Sequence, residues 1–415
     1  MNARMRDRGA RRLGLAIIAC AVVALALFGG SAASAPRATP TTEVKLLTLP
    51  IANTFPLDLG VKKGFFTAEG IEIKKTVVAS GNDVILGLGN NNAEVGFGGF
   101  VPFMIGSTGG IPLQLLTASE VEGTSQADNW QNILVKGSSS IRTPRDLAGK
   151  TIAVNALKGV GEVMIKAAMQ KLGISPTSFR LTALPFPQMR SALNNGQVDA
   201  IWTPEPFLSQ ALNIDHARIV MAPGPVLGKF FPIGGYAAKP SWISSHRATA
   251  AKFRRAMNRS LLYAQSHPQE IREMLPAGTQ NVRLPIWTTI VNRAQIQQLA
   301  TYARRYDVIT KAPNLKQLIP DGIASGLTLQ GSVKAKTVFL RVDGKAVTKL
   351  APGPYNIVVA DTSKKNAFAF VGPKVHRRTK VKGVGRVTWP VNLRKGVYRY
   401  WGTAAPGAKK RITVG

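Results

Sequence analysis

Apolar positions along this chain recur with two periods, and the dominant one changes once. From Glu43 to about Leu318, short apolar runs alternate with stretches where apolar residues return every three or four positions. Val44 to Leu49, Ile71 to Val78, Val95 to Gly98, Leu113 to Ala118, Asn132 to Val135 and Thr151 to Asn155 read as strands. Across 161–172, Met164, Ala168 and Leu172 recur at i, i+4, i+8, with Lys166 and Gln170 turned away and Gly173 as the stop. Phe253, Met257 and Leu261 repeat that spacing in 247–265, leaving Arg254, Arg255 and Arg259 solvated. Strands alternating with helices predict open α/β sheets. After Ser325-Gly326 the helical period ends. Short β-rich runs separated by Gly and Pro follow: Thr337 to Val342, Tyr355 to Ala360, Ala367 to Val371, Arg386 to Val391, Val397 to Trp401 and Arg411 to Val414. They predict a small all-β sandwich beyond a boundary near 327–335.

The first 35 residues have the pattern of an export signal. Arg4, Arg6, Arg8, Arg11 and Arg12 precede an apolar run of 16 residues, Leu13 to Phe28. Small residues follow, with Ser31 and Ala33, or Ala33 and Ala35, spaced for cleavage. Sixteen residues fall short of the ~20 that span a bilayer. Ile17-Ile18-Ala19-Cys20 also has the form of a lipoprotein box, and Arg11-Arg12-Leu13 that of a loose twin-Arg signal. The expectation is a leader over 1–35, a Pro/Thr linker over 36–42, and a mature protein outside the cytoplasmic membrane, in the periplasm or at the outer face of the membrane and cell wall.

Composition removes several kinds of chemistry. The chain has 415 residues, 45% of them apolar, enough for two or three domains with a large core. One Cys and four scattered His leave no disulfide framework, thiolate cluster or His-rich metal site. No cofactor is expected. Lys and Arg number 54 against 21 Asp and Glu, and residues 331–415 alone carry 19 basic and two acidic side chains.

Over 43–325 no nucleophile–base pair, paired carboxylates or metal-ligand spacing stands out. Gly-rich strand ends do. Gly96-Phe97-Gly98-Gly99-Phe100 follows Glu94, and Asn155-Ala156-Leu157-Lys158-Gly159-Val160-Gly161 joins a strand to a helix. Open α/β sheets bind ligands at the carboxyl ends of their strands, where a helix start favours an anion. A lone Gly loop of this kind serves equally as a tight turn.

Five stretches, in order, resemble one family. LGVKKGFFTAEGIEIK (59–74), LGLGNNNAEVGFGGFVP (86–102), IRTPRDLAGKTIAV (141–154), ALNNGQVDAIWTPEPF (192–207), and Tyr236 with the helix 247–265 resemble the solute-binding proteins of ABC importers for alkanesulfonates, nitrate and thiamine-pyrimidine precursors. Asn91-Asn92-Ala93 departs from that family's Ser-Gly-Glu turn, and 119–130 is unusually polar for it. The resemblance implies a two-lobed type II periplasmic-binding-protein fold over 43–326. Lobe one is expected at 43–137 and 235–325, and lobe two at 138–234. A small solute would sit in the cleft, and the closed form would be read by a membrane permease. The implied cleft residues are Asn53, Thr54 and Phe55; Gly98, Gly99 and Phe100; Ser119; Lys158, Gly159 and Gly161; Trp202 and Glu205; and Tyr236. Asp199 reads as structural. Lys158 at a helix start suits a sulfonate or nitrate, whereas Glu205 with Phe55, Phe100 and Trp202 suits a flat, pyrimidine-type heterocycle. The choice stays open. An enzyme of pyrimidine synthesis on the same scaffold is a weaker alternative, because its Cys-rich motif is missing.

NAFAFVGPKVHRRTKVKGVGRVTWPVNLRKGVYRYWGT (366–402) resembles cupredoxin-like domains of exported proteins. Where that family carries its copper ligands, this chain has Asn366, Ala369 and Gly402, so a metal-free basic sandwich over 333–415 is expected. Its charge suits an anionic envelope polymer or lipid headgroups rather than nucleic acid, given export. An envelope-adhering protein with a vestigial cleft is the other alternative. A monomer is expected.

Overall fold

Strands and helices fall within a few residues of where the apolar periods place them. The computed structural model describes residues 41–415 except 277–278, 280–281, 290, 321–327, 335–336, 343–344, 351–352 and 382. The expected leader, residues 36–40 of the linker, and parts of the expected boundary near 327–335 lie outside the described residues.

The first eleven strands are β1 (Thr42–Thr48), β2 (Ile71–Val77), β3 (Val95–Gly99), β4 (Gln114–Val121), β5 (Gln131–Val135), β6 (Thr151–Val154), β7 (Arg180–Ala183), β8 (Ala200–Pro204), β9 (Arg218–Met221), β10 (Pro232–Ala238) and β11 (Ile286–Trp287). They form two sheets, ordered β11-β4-β10-β3-β1-β2 and β7-β6-β8-β5-β9. Within each, a parallel set is completed by an antiparallel strand from elsewhere in the chain: β10 between β3 and β4, and β5 between β8 and β9. The chain therefore crosses between sheets twice, after β4 and after β9. This is the two-lobed α/β arrangement expected, with corrected edges. Gln131–Val135 belongs to the second lobe, not the first, and the return to the first lobe begins at Pro232 rather than 235. An apolar run states that a strand exists; only its hydrogen-bond partners state which sheet owns it.

One continuous apolar core runs through both lobes, from Leu46 and Phe97 to Ile152 and Met164. Two local features fix the ends of elements. Ser80 caps the helix Gly81–Gly89, its Oγ accepting from Asp83 N at 3.3 Å while Asp83 Oδ2 accepts from Ser80 N at 2.9 Å. Asp199 Oδ2 accepts from Thr151 N at 2.8 Å and ties the start of β6 to the start of β8, the structural role expected of it.

The last ten strands are β12 (Thr328–Val333), β13 (Val338–Val342), β14 (Lys345–Ala346), β15 (Lys349–Leu350), β16 (Gly353–Asp361), β17 (Phe368–Gly372), β18 (Val375–Arg378), β19 (Gly385–Leu393), β20 (Gly396–Gly402) and β21 (Lys410–Val414). Two five-stranded sheets, β14-β13-β12-β16-β19 and β15-β21-β20-β17-β18, enclose a separate core that includes Leu329, Ile357, Phe368, Tyr398 and Ile412. Its first strand starts at Thr328, ahead of the expected 333. Thr-Leu-Gln-Gly-Ser-Val reads as a linker until its packing is known: a Cβ on Gly331 would lie 3.1 Å from the Phe368 ring, so this strand packs tightly against β17. Asn366 is buried, its Oδ1 accepting from Ala404 N at 2.8 Å.

Candidate functional site

The carboxyl ends of β1, β3 and β4 face those of β6 and β8, and a cavity of about 520 Å³, mouth included, lies between them. Open α/β sheets place ligands at these strand ends. The first lobe contributes Leu49, Ile51 and Asn53 after β1, Gly81 and Asn82 from the capped helix, Phe97 and Gly99 from β3, Pro102, Glu120 from β4 and Ile233. Trp130 in the first crossing, Gln131, Asn155, Ala156, Gly159, Val160, Phe186, Trp202 and Pro204 complete the wall. Most of this surface is apolar, with Trp202 and Phe186 packed at 6.3 Å and tilted by 47°.

Glu120 is the one charged side chain among these lining residues. It is 1% exposed, and neither carboxylate oxygen has a hydrogen-bond partner. Burial pushes its carboxyl up to about 7; the Ser119 and Asn53 side chains favour the charged form but close no hydrogen bond with it. Both amide atoms of buried Asn53 and the indole Nε1 of Trp202 also lack partners. A buried polar group left unpaired costs about 1–3 kcal/mol. Three such groups border one cavity, Glu120 and Asn53 from the first lobe and Trp202 from the second, with hydrogen-bonding capacity that the fold does not use.

Behind Glu120, Glu122 is fully buried and accepts from the Nε2 of Gln131. Burial pushes its carboxyl up to about 8, opposed by Gln131 and Asn129 and reinforced by the charge of Glu120. Gln131 is thereby held with its other surface toward the cavity.

The helix start offered to an anion is already taken. In Val160–Lys171, Glu162 stands in the first turn, accepts from Lys158 N at 2.8 Å, and pairs with Lys166 Nζ at 2.6 Å. A carboxylate of the chain itself thus stands at that helix start, and Lys158 points to solvent from a left-handed backbone (φ 53°) off the cavity wall.

Of the expected cleft residues, Asn53, Gly99, Gly159 and Trp202 line the cavity; the others do not. Thr54 Oγ1 donates to Ile51 O at 2.9 Å and braces the loop after β1. Phe55 packs on Leu275 and Val282, and Phe100 is fully buried, edge-on to Phe103 at 6.5 Å. Gly98 accommodates the Phe103 ring, 3.0 Å from where its Cβ would be, and Gly161 the Trp202 ring at 2.6 Å. Ser119 is buried beside Glu120 but is not on the wall. Glu205 is committed elsewhere: its carboxylate accepts from Ser209 N (2.9 Å), Ser209 Oγ (2.8 Å) and Arg283 N (3.0 Å). Tyr236 lies wholly in the core against Phe97 and Phe253, and burial raises its phenol well above the usual range. For Thr54, Phe55, Phe100, Glu205 and Tyr236 local contacts fixed the direction of the side chain, which position at a strand end does not.

Glu120, Gln131, Trp130, Asn155 and Phe186 were missed. Ser119-Glu120-Val121 held a usable signal, since an acid inside a strand that is otherwise apolar and buried is seldom there for packing alone.

The two walls also touch. Asn82 Nδ2 donates to Leu157 O at 3.2 Å, and a Cβ on Gly99 would lie 2.2 Å from Val160 Cγ2.

A family model described as NMT1/THI5 like matches residues 52–271. The nitrate/nitrite binding protein NrtA of Nostoc sp. is 24% identical over 235 residues, 52% of either chain, so this chain spans about half the length of that curated relative. Among solved structures, the alkanesulfonate-binding protein SsuA of Xanthomonas axonopodis pv. citri, bound to MOPS, superposes with TM-score 0.57 at 18% identity, covering 68% of this chain and 99% of its own. The periplasmic nitrate-binding protein NrtA of Synechocystis PCC 6803 gives TM-score 0.58 at 13% identity, covering 68% and 87%. Likeness at this identity establishes the two-lobed fold. These relatives are described as binding proteins.

Proposed function

Because the chain belongs to the NMT1/THI5-like family, we propose that it is the extracytoplasmic solute-binding component of an ABC import system. It captures a small solute between its lobes, as a monomer, and presents the closed form to a membrane permease. The solute is released unchanged. The unpartnered Glu120 carboxylate, with the Asn53 amide beside it in a cavity walled by Trp130, Phe186 and Trp202, carries this reading. It also selects a solute class. A carboxylate accepts hydrogen bonds and repels anions, and aromatic walls favour flat rings and cations. A flat heterocycle with amine or amidine N–H donors, pyrimidine-type in size, completes Glu120; nitrate or a sulfonate would meet a like charge and no basic side chain.

Thermal-shift measurement on residues 36–415 tests both levels. An aminopyrimidine at a hundredfold excess over Kd stabilises the protein by about 2.7 kcal/mol, and nitrate and alkanesulfonates do not. Stabilisation by an anion instead would overturn the solute class and leave solute capture standing. A flat response to every solute class would overturn capture itself.

A further inference from the structure

The C-terminal sandwich carries a feature that solute capture does not use. In the sheet β15-β21-β20-β17-β18, residues paired across strands share a face. The inner face buries Phe368, Phe370, Tyr398, Tyr400 and Ile412. On the outer face Arg411 pairs with Arg399, Arg399 with Val371, and Val371 with His376. One step along, Trp401 pairs with Ala369 and Ala369 with Arg378. At the other end of the sheet, Lys349 pairs with Thr413, which faces Val397.

Arg399, Arg411, Arg378, His376 and Lys349 are exposed. Neighbouring strands lie ~4.8 Å apart, so the row from Arg411 to His376 spans about 14 Å. Among the described residues no acid sits on this face, and Asp361 is turned into the interior. The ion pairs among the described residues fall within 58–270, so none neutralises Arg378, Arg399, Arg411 or Lys349. Trp401 is half-buried among them, with Lys409 Nζ 5.1 Å from its ring centre.

We propose that this face docks on a membrane surface of anionic phospholipid headgroups. Its shape and composition choose that occupant. The cations lie across neighbouring strands of one sheet rather than in a track along one strand, which matches a plane of negative charge better than a single polymer chain. An indole ringed by cations is suited to headgroup depth, with its apolar edge inward and its charged neighbours at phosphate level. The inference stands apart from the solute reading, because it uses no cavity residue.

The test uses residues 36–415, which contain the whole of the compact unit 41–415 and omit the apolar leader. Flotation with phosphatidylcholine vesicles, with and without phosphatidylglycerol, is run at low and high salt. The protein floats with the anionic vesicles at low salt and is released at high salt. Replacing three charges (R378Q, R399Q, R411Q) lowers the partition coefficient about a hundredfold, and the thermal midpoint is unchanged. Equal binding to neutral vesicles, or salt-independent binding, refutes the proposal without any variant. So does unchanged partitioning of the triple variant. Retention on soluble polyphosphate but not on vesicles overturns it in favour of a polymer.

Discussion

Replacing Glu120 by glutamine separates what this carboxylate costs the empty protein from what it contributes to binding. Its carboxyl titrates near 4.5 in an unfolded chain and near 7 in the fold, because burial disfavours the charge. Between those values the folded state holds more protons than the unfolded one. Stability is therefore greatest below about 4.5, falls as pH rises through the window to about 7, and levels off above it. A shift from 4.5 to about 7 corresponds to about 3 kcal/mol. Glutamine matches the shape and cannot ionise, so the empty variant is more stable than the parent by up to about 3 kcal/mol at about pH 8, and nearly equal to it near pH 4. Affinity moves the other way. Losing a charge-assisted hydrogen bond of about 1.5–3 kcal/mol weakens an amine-bearing solute by roughly 10- to 150-fold. Urea unfolding across this pH range, with calorimetric titration of an aminopyrimidine, measures both. A variant less stable than the parent at about pH 8, or a stability difference independent of pH, would show that Glu120 has partners within the fold and that the reasoning fails.

Binding by the parent should itself depend on pH: a cationic solute needs Glu120 ionised, so its Kd rises about tenfold per unit below about 7, and a Kd flat with pH for a solute that stays charged would remove Glu120 from the contact. G99V places a side chain against Val160 across the cleft and should weaken solute binding at least tenfold by holding the lobes apart; unchanged affinity by calorimetry would mean that closure does not bring these residues together. E205A removes the acceptor of three hydrogen bonds and should cost about 2–4 kcal/mol in denaturant unfolding; a loss of affinity with no loss of stability would return Glu205 to the cavity wall. N53A removes an amide with no partner in the fold, so it should lower affinity and leave the thermal midpoint of the empty protein within a degree or two; a large drop in that midpoint would give Asn53 a structural role.

Sequence alone determined the two textures of this chain, the positions of most strands, and the helices 161–172 and 247–265, because one-dimensional apolar periodicity follows directly from backbone geometry. That Gly-rich strand ends meet at a cleft came from the resemblance to solute-binding proteins, since the glycines by themselves were equally readable as tight turns. Tertiary structure decided which sheet claims Gln131–Val135, since an apolar strand pairs with whichever neighbour folding brings to its edge. It decided, too, that Glu205 is spent on Ser209 and Arg283 while Glu120 is left without a partner. Two carboxylates in similar apolar surroundings are indistinguishable as letters. What separates them is the distance to donors as remote in the chain as Arg283, and only the folded arrangement of the lobes sets that distance.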